Sequence, residues 1–517
     1  MNQGLIPAKW AALTPRRTAI VDIPNRRRID WRELDSRVRR LANGLLDLGV
    51  RRGDRVAMLS RNSIEYQELF FAVGRAGAVL QPLNWRLSTP AIAALVADAR
   101  PRVVIVSPEY REVMAELQKL VDLPHWLQYG EGGDGSYEAL LAASSDEEPP
   151  TTMQVGEHDP FFILYTGGTT GESKGAVHSH RSAAMGMLNQ TVAERIVPSD
   201  VYMLTGQMYH IPIILSMNYM KHGCPLVLVN FEARQALEVI QDEKVSAFLG
   251  ITTMLNWMMA VENFRRYDLS SLRNIQYGGG PMSSGTVRNA LDSFPCTLIQ
   301  GYGQTEGTTM SFLSQEDHRR AATGIDTHRL QSCGREGFVT TIRVVDAQGR
   351  EVPRDGRTTG EIVVRSEANM LGYFNRPDLT AKTLRDGWMW TGDLATWDED
   401  NYLFIVDRAK DMIISGGENI YSVQVEDAIG RHPAVLECAV IGVPDDEWGE
   451  SVKAIVVLKP GHNASERDII DAARQHLASY QKPRSVDFVA ALPKAPTGKI
   501  LKRDLRAPYW AAQERQV

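Results

Sequence analysis

A repeated alternation of helical and strand patterns early in the chain constrains the fold more than any other feature. Asp30 followed by Glu33 is typical of a helix cap, and apolar residues then recur at helical spacing until Gly49. A short apolar strand pattern over 56–59 comes next. Strands separated by helices form a largely parallel sheet that helices cover, so we predict an α/β fold. The same alternation returns in helices over 65–77 and 89–99 and in strands over 78–82 and 103–106.

The length of 517 residues exceeds one ordinary domain, so we expect at least two, each with its own core. Residues 130–150 are acidic and rich in Gly and Pro near their ends, which predicts a surface connection. A second α/β run spans 160–330. From Gly334 the pattern changes to short strands separated by turn residues, which predicts a small β subdomain.

Beyond Arg408 the chain resumes as another α/β unit. We therefore predict a large N-terminal domain of parallel-sheet α/β subdomains plus a small β subdomain, residues 1–407, and a smaller C-terminal α/β domain, residues 408–517. The predicted elements of the second domain are strands over 435–443 and 452–458 and a helix over 464–480.

Composition and charge exclude several classes of protein. The chain carries 57 Lys and Arg against 63 Asp and Glu, a net charge of −6, which argues against nucleic-acid binding. Its four cysteines are widely spaced without a CxxC pair and indicate neither a zinc site nor a disulfide framework. The start lacks the apolar core of a secretory signal, and the most apolar stretch, 245–261, is too short and interrupted for a membrane span. We expect a cytoplasmic protein with no transmembrane segment.

A run of small and hydroxyl residues, TGGTTGESKG at 166–175, is typical of a phosphate-binding loop. Small residues let backbone N–H groups approach a phosphate closely, threonine hydroxyls donate to its oxygens, and Lys174 supplies positive charge. The run is not a Walker loop, because Glu172, Ser173 and Lys174 follow Gly171 where Gly-Lys-Ser/Thr would be required. A flexible surface turn is the alternative that this segment alone leaves open.

Four further segments carry side chains suited to nucleotide chemistry. GYGQTEG at 301–307 offers a ring for a base, a hydroxyl for a phosphate and a carboxylate for Mg²⁺, and YGGGP at 277–281 follows a short strand. Asp393 in WTGD can chelate a ribose diol, and Arg408 in DRAKDMIISGGENI is a fixed cation before a Gly-Gly turn. Near the chain end, a Thr-Gly-Lys turn can carry Lys499 into another domain's cleft. Taken singly, each segment is also compatible with an ordinary polar turn, hairpin or cap.

In this order and spacing the segments resemble the acyl-adenylate-forming superfamily of acyl-CoA synthetases, peptide-synthetase adenylation domains and luciferases. The resemblance covers nearly the whole chain. It implies ATP and Mg²⁺ as cofactors, coenzyme A as co-substrate and a C-terminal domain that is mobile. The residues that it implies for binding ATP and AMP are Thr166, Gly167, Gly168, Thr169, Thr170, Gly171, Lys174, Gly279, Gly280, Pro281, Gly301, Tyr302, Gly303, Gln304, Thr305, Asp393, Arg408 and Lys499.

Within that set the resemblance implies specific catalytic roles. Lys174 would face the β- and γ-phosphates, Thr305 the α-phosphate, and Glu306 would bind Mg²⁺ as the one metal ligand. Asp393 would hold the ribose hydroxyls, and Lys499 would bridge the substrate carboxylate and the α-phosphate. The chemistry needs such charges, because a carboxylate must attack a phosphate that is already negative while pyrophosphate leaves.

A second half-reaction, attack of a thiol on the acyl-adenylate, would require Lys499 to leave and the C-terminal domain to rotate. By the resemblance Lys410 occupies the hinge position. A structural role is the alternative for His210, as for any lone histidine. The residues implied for the CoA tunnel are His210, Gly416, Gly417 and Glu418.

Four positions depart from the usual pattern of this superfamily. Gly167 stands where Ser is common, Ser173 where Pro is common, and Ser422 and Gln424 replace a frequent Pro and Glu. The first departure removes a donor to phosphate. The last two lie on the face that would form the thioester.

The expected acyl pocket is apolar and lacks an acidic anchor for an amino group, and its methionines and glycines leave room for a large acid. We predict an ATP-dependent acid:CoA ligase for a fatty, branched, aryl or polycyclic acid. The alternatives are transfer to the phosphopantetheine of a carrier protein and a non-catalytic nucleotide-binding scaffold. The resemblance leaves room for a homodimer. The pocket residues are Met208, Tyr209, His210, Ile213, Leu249, Thr253, Gly278 and Gly279.

Overall fold

The computed structural model describes residues 1–130, 136–166, 173–279, 282–408, 411–416, 418–494 and 500–510. Some predicted site residues lie outside these ranges, namely Gly167, Gly168, Thr169, Thr170, Gly171, Gly280, Pro281, Lys410, Gly417 and Lys499. Among the described residues, no helix combines the length and the apolar character that crossing a bilayer requires.

Twenty-six strands are described in these ranges, and most are short. In chain order they are β1 Thr18–Asp22, β2 Arg27–Asp30, β3 Arg55–Leu59, β4 Val79–Leu83, β5 Val103–Val106, β6 His125–Gln128, β7 Pro160–Thr166, β8 Lys174–Ser179, β9 Tyr202–Leu204, β10 Leu226–Leu228, β11 Ala247–Leu249, β12 Asn274–Gly278, β13 Thr297–Gln304, β14 Thr308–Leu313, β15 Arg335–Glu336, β16 Thr340–Val345, β17 Gly360–Ser366, β18 Gly372–Tyr373, β19 Leu384–Arg385, β20 Trp388–Trp397, β21 Leu403–Arg408, β22 Ile413–Ser415, β23 Glu418–Ile420, β24 Val435–Asp445, β25 Gly449–Leu458 and β26 Ser485–Phe488.

Helices alternate with these strands as the sequence predicts. They are α1 Ile6–Leu13, α2 Trp31–Asp47, α3 Ile64–Ala76, α4 Thr89–Ala99, α5 Arg111–Leu120, α6 Ser136–Ala143, α7 His180–Glu194, α8 Pro212–Lys221, α9 Ala233–Asp242, α10 Thr252–Met259, α11 Ser284–Ser293, α12 Gln315–Ala322, α13 Pro377–Thr383, α14 Ser422–Gly430, α15 Glu466–Arg474 and α16 Lys502–Trp510.

By internal contacts the chain divides into two units, so that each packs mainly against itself. The first comprises Met1–Thr166, Ser173–Ile342 and Val364–Met389, and the second includes Arg343–Val363 and the chain from Trp390 onward. The α/β class that the sequence predicts is confirmed. The boundary between residues 407 and 408 stays a prediction.

Two sheets organise the first unit. One has the strand order β18-β8-β7-β4-β3-β5-β6, and the other β15-β14-β13-β12-β11-β9-β10-β1-β2. The central strands of both are parallel and buried on both faces, which explains why they read as short apolar runs. Helices α2 and α3 supply much of the core, through fully buried side chains that include Trp31, Tyr66 and Phe70.

Local signals fix where several elements begin and end. The Asp30 carboxylate accepts from the Glu33 backbone N–H at 2.9 Å, which confirms the predicted cap of α2.

Two predictions about secondary structure were wrong. Helix α6 lies within the predicted connection 130–150, because Tyr137 and Leu141 bury one face of it. Helix α15 ends at Arg474 rather than at 480, because the next two backbone N–H groups, of Gln475 and His476, donate to carbonyl oxygens only three residues back.

In the second unit, a buried polar cluster ties strand β21 to the two helices α14 and α16. Asp407 of β21 is buried, and its Oδ2 accepts both the backbone N–H of Ser422, at 2.5 Å, and the Ser422 hydroxyl, at 2.7 Å. Lys502 donates to the Ser422 Oγ at 2.5 Å and pairs with Glu426 at 2.7 Å. Ser422, one of the departures from the superfamily pattern, therefore supplies a backbone donor that a proline at this position would lack.

One carboxylic acid is buried behind the nine-stranded sheet. Glu194, at the end of α7, is 1% exposed, and its Oε2 accepts the Tyr219 hydroxyl at 2.9 Å and the Gln276 amide. Burial raises the pKa of Glu194 to about 8, because the interior solvates a carboxylate poorly and these two donors offset only part of that cost. The folded state therefore favours the protonated acid near neutral pH.

We expect Glu194→Gln to stabilise the protein increasingly as the pH rises from 5 to 8. Between the ordinary pKa of 4.5 and the raised one, the folded state binds more protons than the unfolded state, so the wild-type protein loses stability with rising pH. The gain in unfolding free energy is at most about 1.4 kcal/mol per pH unit. Thermal melting at several pH values measures it, with the exposed Glu238→Gln on α9 as the control. An advantage of Glu194→Gln that is constant with pH would contradict the assignment.

We expect substitutions of Ser422 to loosen strand β21 and helix α14 in a graded way. Ser422→Ala removes the hydroxyl and costs about 1 kcal/mol, whereas Ser422→Pro also removes the N–H and costs about 2 kcal/mol. Proline is tolerated at the first residue of a helix, so the loss reports on the hydrogen bonds to Asp407. Hydrogen exchange over 403–408 and 422–430 measures the effect. Ser465→Ala, which removes the cap of α15, should leave β21 protected, and unchanged exchange in both Ser422 variants would refute the role of the cluster.

Candidate active site

The carboxyl ends of four neighbouring parallel strands meet at one edge of the nine-stranded sheet. Strands β9, β11, β12 and β13 lie side by side in that order, and each is parallel to the next. In open α/β sheets, ligands bind at such an edge. The segments that follow these strands hold the predicted pocket residues and the Gly301–Thr305 segment, so the fold of the first unit brings them to one place.

The segment after β9 is largely buried and apolar. Met208 is 1% exposed and Ile213 is fully buried, whereas Thr253, in α10 after β11, is exposed. The Tyr209 hydroxyl accepts from Arg86 Nη1 at 2.8 Å. Burial lowers the pKa of His210, so its imidazole is neutral at physiological pH. His210 can therefore accept or donate a hydrogen bond there without adding charge to an apolar surface.

Glycines allow two close backbone approaches at this edge. A Cβ at Gly278 would lie 2.1 Å from the Gly301 carbonyl oxygen, and one at Gly303 would lie 1.8 Å from the Thr308 carbonyl oxygen. Both positions are therefore closed to larger residues. Gly279 differs, because a Cβ there meets nothing within 4 Å and its φ of +74° favours glycine. The backbone at Gly279 thus faces open space beside the strand ends.

The predicted phosphate loop is flanked by an antiparallel pair of strands. Strand β7 ends at Thr166 and β8 begins at Lys174, and these two residues are opposite each other in the register. The Thr166 hydroxyl donates to the Lys174 carbonyl oxygen at 3.4 Å. The loop from 167 to 172 lies outside the described residues. The two strands that flank it form a regular hairpin up to Thr166 and Lys174.

A tight turn carries Thr305 and Glu306. Strands β13 and β14 pair antiparallel up to Gln304 and Thr308, which leaves Thr305, Glu306 and Gly307 as the connection. The buried His178 of β8 bonds through Nε2 to the Thr305 carbonyl oxygen at 2.7 Å. Burial lowers the pKa of His178 to about 4, so the ring is neutral and donates this hydrogen bond through an Nε2–H.

The Glu306 side chain is held by a residue that the sequence analysis did not single out. Tyr373 of β18 donates its hydroxyl to Glu306 Oε1 at 2.7 Å, and the Met370 backbone N–H donates to the Glu306 carbonyl oxygen at 2.7 Å. The ring of Tyr373 also lies beneath Lys174, whose Nζ is 5.6 Å from the ring centroid. Lys174, Thr305 and Glu306 are thus brought together in the first unit, with Tyr373 and His178 supporting them.

The residues present fit a magnesium ion that arrives with ATP rather than one that the protein holds by itself. No group of three or more His, Cys, Asp or Glu able to hold a metal occurs among the described residues. Mg²⁺ keeps several waters and commonly takes only one or two protein carboxylates beside substrate phosphates. A single half-buried carboxylate, with one oxygen engaged by Tyr373 and its other oxygen available, meets that need.

In the second unit, Asp393 and Arg408 are brought together. They are opposite each other on β20 and β21, and Arg408 Nε lies 2.9 Å from Asp393 Oδ1. Asp393 is 3% exposed, whereas about a third of the Arg408 side chain is exposed.

Strands β22 and β23 flank the predicted tunnel glycines. The backbone of Gly416 packs against the Trp448 ring, where a Cβ would approach to 2.5 Å. Glu418, which begins β23, is exposed.

The remaining predicted nucleotide residues lie on β13. Tyr302 is 8% exposed and is opposite Ser311 of β14, and Gln304 ends the strand.

Sequence reasoning missed His178 and Tyr373, because each contacts a partner that is far away along the chain. The available signals were the first histidine of the VHSH run and the glycine-aromatic pair Gly372-Tyr373.

Comparison with known proteins identifies the family. The family model described as AMP-binding enzyme matches residues 7–374, and that described as AMP-binding enzyme C-terminal domain matches residues 424–499. Together they cover most of the chain.

Full-length relatives and solved structures agree. A feruloyl-CoA synthase of an Amycolatopsis species is 37% identical over 98% of this chain and 99% of its own. The long-chain-fatty-acid–CoA ligase FadD13 of Mycobacterium tuberculosis is 34% identical over 99% of both chains. The fatty acid–[acyl-carrier-protein] ligase ScoC of Streptomyces coeruleorubidus is 33% identical over 95% and 93%. ATP-bound MatB from Rhodopseudomonas palustris superposes with a TM-score of 0.87 at 29% identity, covering 98% and 99%.

These matches agree with the edge of parallel strands, the β7–β8 hairpin and the Thr305–Gly307 turn. The chain belongs to the AMP-binding enzyme family and is an acyl-CoA synthetase of the adenylate-forming superfamily.

Proposed function

We propose that this acyl-CoA synthetase activates an apolar carboxylic acid and transfers it to free CoA. In the first step an oxygen of the acid bonds to the α-phosphorus of ATP as the bond to the β-phosphate breaks and pyrophosphate leaves. In the second step the CoA sulfur, after losing its proton to solvent, bonds to the acyl carbon as the bond to AMP breaks. The observation that carries the proposal is the shared sheet edge at which both the apolar segment after β9 and the Thr305–Gly307 turn lie.

The proposed roles in the first step follow the charges of the site. Lys174 offsets negative charge on the β- and γ-phosphates, and the Thr305 hydroxyl donates toward the α-phosphate. Mg²⁺ bound with ATP would withdraw electron density from the phosphates, and Glu306 is the residue that would hold it. In the second unit, Asp393 would accept from the ribose hydroxyls, with its carboxylate oriented by Arg408, whose Nε lies 2.9 Å from Asp393 Oδ1. Lys499 would supply the cation between the acid and the α-phosphate.

The acid itself is proposed to be apolar. Met208 and Ile213 are buried carbon surfaces, and no carboxylate among the eight predicted pocket residues could pair with an amino group. Gly279 leaves open space where a larger residue would fill the site. The names of the feruloyl-CoA synthase and long-chain fatty-acid ligase relatives also point to large acids. We place fatty, branched, aryl and polycyclic acids in this class.

The acceptor and the movement between steps are part of the proposal. Lys410 would be the hinge, and His210, Gly416, Gly417 and Glu418 would line the path of the pantetheine arm. Gly416 supports this role, because its backbone passes close to Trp448 where any Cβ would clash. A carrier-protein phosphopantetheine is the second candidate acceptor, favoured by the similarity to the carrier-protein ligase ScoC.

We further propose a reducing, cytoplasmic setting and leave room for a homodimer, as the resemblance allows. Widely spaced cysteines support the first point, together with burial that raises the pKa of the Cys224 and Cys438 thiols to about 12 and makes them poor nucleophiles.

A product assay tests the reaction. With ATP, Mg²⁺ and a panel of carboxylic acids, we expect AMP and pyrophosphate rather than ADP, and an acyl-CoA detectable by mass spectrometry when CoA is present. A parallel reaction with a phosphopantetheinylated carrier protein distinguishes the two acceptors. Thioester formed only on the carrier would establish the second candidate, and ADP or no nucleotide turnover with any acid would overturn the proposal.

Two lysine variants test the division between the half-reactions. Lys499→Ala should lower acid-dependent pyrophosphate exchange by about 10²–10³, because a preorganised charge at the reacting phosphorus is lost. It should still convert supplied acyl-AMP and CoA to thioester. Lys410→Pro should instead impair thioester formation more than exchange, because a proline restricts the backbone at the hinge.

The matched control is Lys494→Ala, in the same tail segment, where the ammonium pairs with Glu437 and about two-fifths of the side chain is exposed. Both half-reactions should survive in this control. Equal loss of both half-reactions in folded Lys499→Ala would remove the assignment of Lys499. An unchanged thioester rate in Lys410→Pro would remove the hinge.

A further inference from the structure

Tyr373 touches two groups of opposite charge that the proposed function places on MgATP. Its hydroxyl donates to Glu306 Oε1 at 2.7 Å, and its ring face lies 5.6 Å from Lys174 Nζ. Two segments distant in sequence, the β8 start and the β13–β14 turn, therefore meet on one aromatic side chain.

The backbone holds Tyr373 in a defined place. Strand β18 pairs antiparallel with β8, with Tyr373 opposite Ala176 and Gly372 opposite Val177. Backbone bonds extend this pairing on both sides, from the Leu371 N–H to the Val177 carbonyl oxygen and from the Phe374 N–H to the Gly175 carbonyl oxygen. Tyr373 thus lies on the strand that pairs with β8, which begins with Lys174, so its position follows that of the β7–β8 hairpin.

The hydroxyl restricts the Glu306 carboxylate. The phenolic O–H of Tyr373 donates to Glu306 Oε1 at 2.7 Å. With Oε1 engaged, rotation of the carboxylate is limited and Oε2 is the oxygen left for a cation. The Met370 N–H bond to the Glu306 carbonyl oxygen fixes the backbone of the same residue.

The ring separates the two charges. No ion pair joins Lys174 to Glu306, both of which lie in the described part of the chain, and the Tyr373 ring accepts the ammonium on its face. A direct pair would satisfy each charge with the other and leave both less available to phosphate and metal. An aromatic residue serves here because its face attracts the cation while its hydroxyl binds the anion.

We propose that Tyr373 is a positioning residue for MgATP: its hydroxyl orients Glu306 toward the magnesium ion, and its ring keeps Lys174 directed to the phosphates. This inference rests on the proposed function. It adds a residue that touches neither the reacting atoms nor, by its own contacts, the acid.

Two substitutions separate the two contacts. Tyr373→Phe keeps the ring and removes the hydroxyl, whereas Tyr373→Leu removes both. ATP binding without acid, where no turnover occurs, is measured by calorimetry at a series of Mg²⁺ concentrations, and Mn²⁺ binding in the presence of ATP by electron paramagnetic resonance. Tyr373→Phe should raise the metal concentration for half-maximal ATP binding about three- to tenfold, with near-normal ATP affinity at saturating metal. Tyr373→Leu should also weaken ATP binding at saturating metal.

Coupling to Glu306 gives the decisive comparison. Glu306→Gln alone should raise the metal requirement further, and adding Tyr373→Phe to it should change little, because the two residues act through one interaction. Tyr137→Phe is the matched control, since it removes a phenol-to-carboxylate hydrogen bond of 2.6 Å to Glu68 in the same unit and should leave metal dependence unchanged.

Several outcomes would overturn the inference. Wild-type metal dependence in folded Tyr373→Phe would do so, as would full additivity with Glu306→Gln. If Tyr373→Leu does not fold, Tyr373→Phe still decides the role of the hydroxyl. Failure of the wild-type protein to bind ATP with Mg²⁺ would instead contradict the proposed function itself, so the two failures are distinguishable.

Discussion

The hydrogen bond from His178 to the Thr305 carbonyl oxygen joins the two sheets of the first unit at the candidate site. His178 belongs to β8 of the seven-stranded sheet and Thr305 follows β13 of the nine-stranded sheet. Because burial keeps the ring neutral, the bond needs no counter-ion and stays the same across physiological pH. The β7–β8 hairpin and the Thr305–Gly307 turn are thus held together, and the contacts proposed for Lys174, Thr305 and Glu306 depend on this link.

The contacts proposed for the nucleotide involve few charges, and neighbouring groups within each unit restrict most of them. Glu306 is oriented by a phenol, Lys174 lies over an aromatic face, and Asp393 is paired with Arg408 on the next strand. Such restriction matters for phosphoryl chemistry, in which the protein forms few covalent bonds and contributes mainly position and electrostatics. A charge that is already oriented loses little free energy in reorganising when the substrate binds.

Much of the fold could be predicted from the sequence, because helix caps and apolar runs are local signals. Helix α4 and strand β5 have the predicted bounds, and α2 begins at its predicted cap. The errors arose where tertiary packing decided. Helix α6 forms because it buries two side chains, which its acidic and glycine-rich surroundings hide.

The candidate site shows the same division. Its candidate groups lie in short segments whose composition is typical of phosphate or metal binding, so the sequence singled out Lys174, Thr305 and Glu306 as candidates. Tyr373 was not, because its partner Glu306 is 67 residues away in the chain and only strand pairing brings them together. The meaning of Ser422 was equally hidden, since its effect depends on the buried carboxylate of Asp407.

That last contact spans the position proposed as the hinge. Asp407 precedes Lys410 and Ser422 follows it. A rotation about Lys410 that separates the two residues would break both hydrogen bonds, and the Asp407 carboxylate would then need water or another donor. In this chain the rate of such a rotation would depend on how readily these two hydrogen bonds break. A relative with proline at this position has neither the N–H nor the hydroxyl donor, so its rotation would not have to break these bonds.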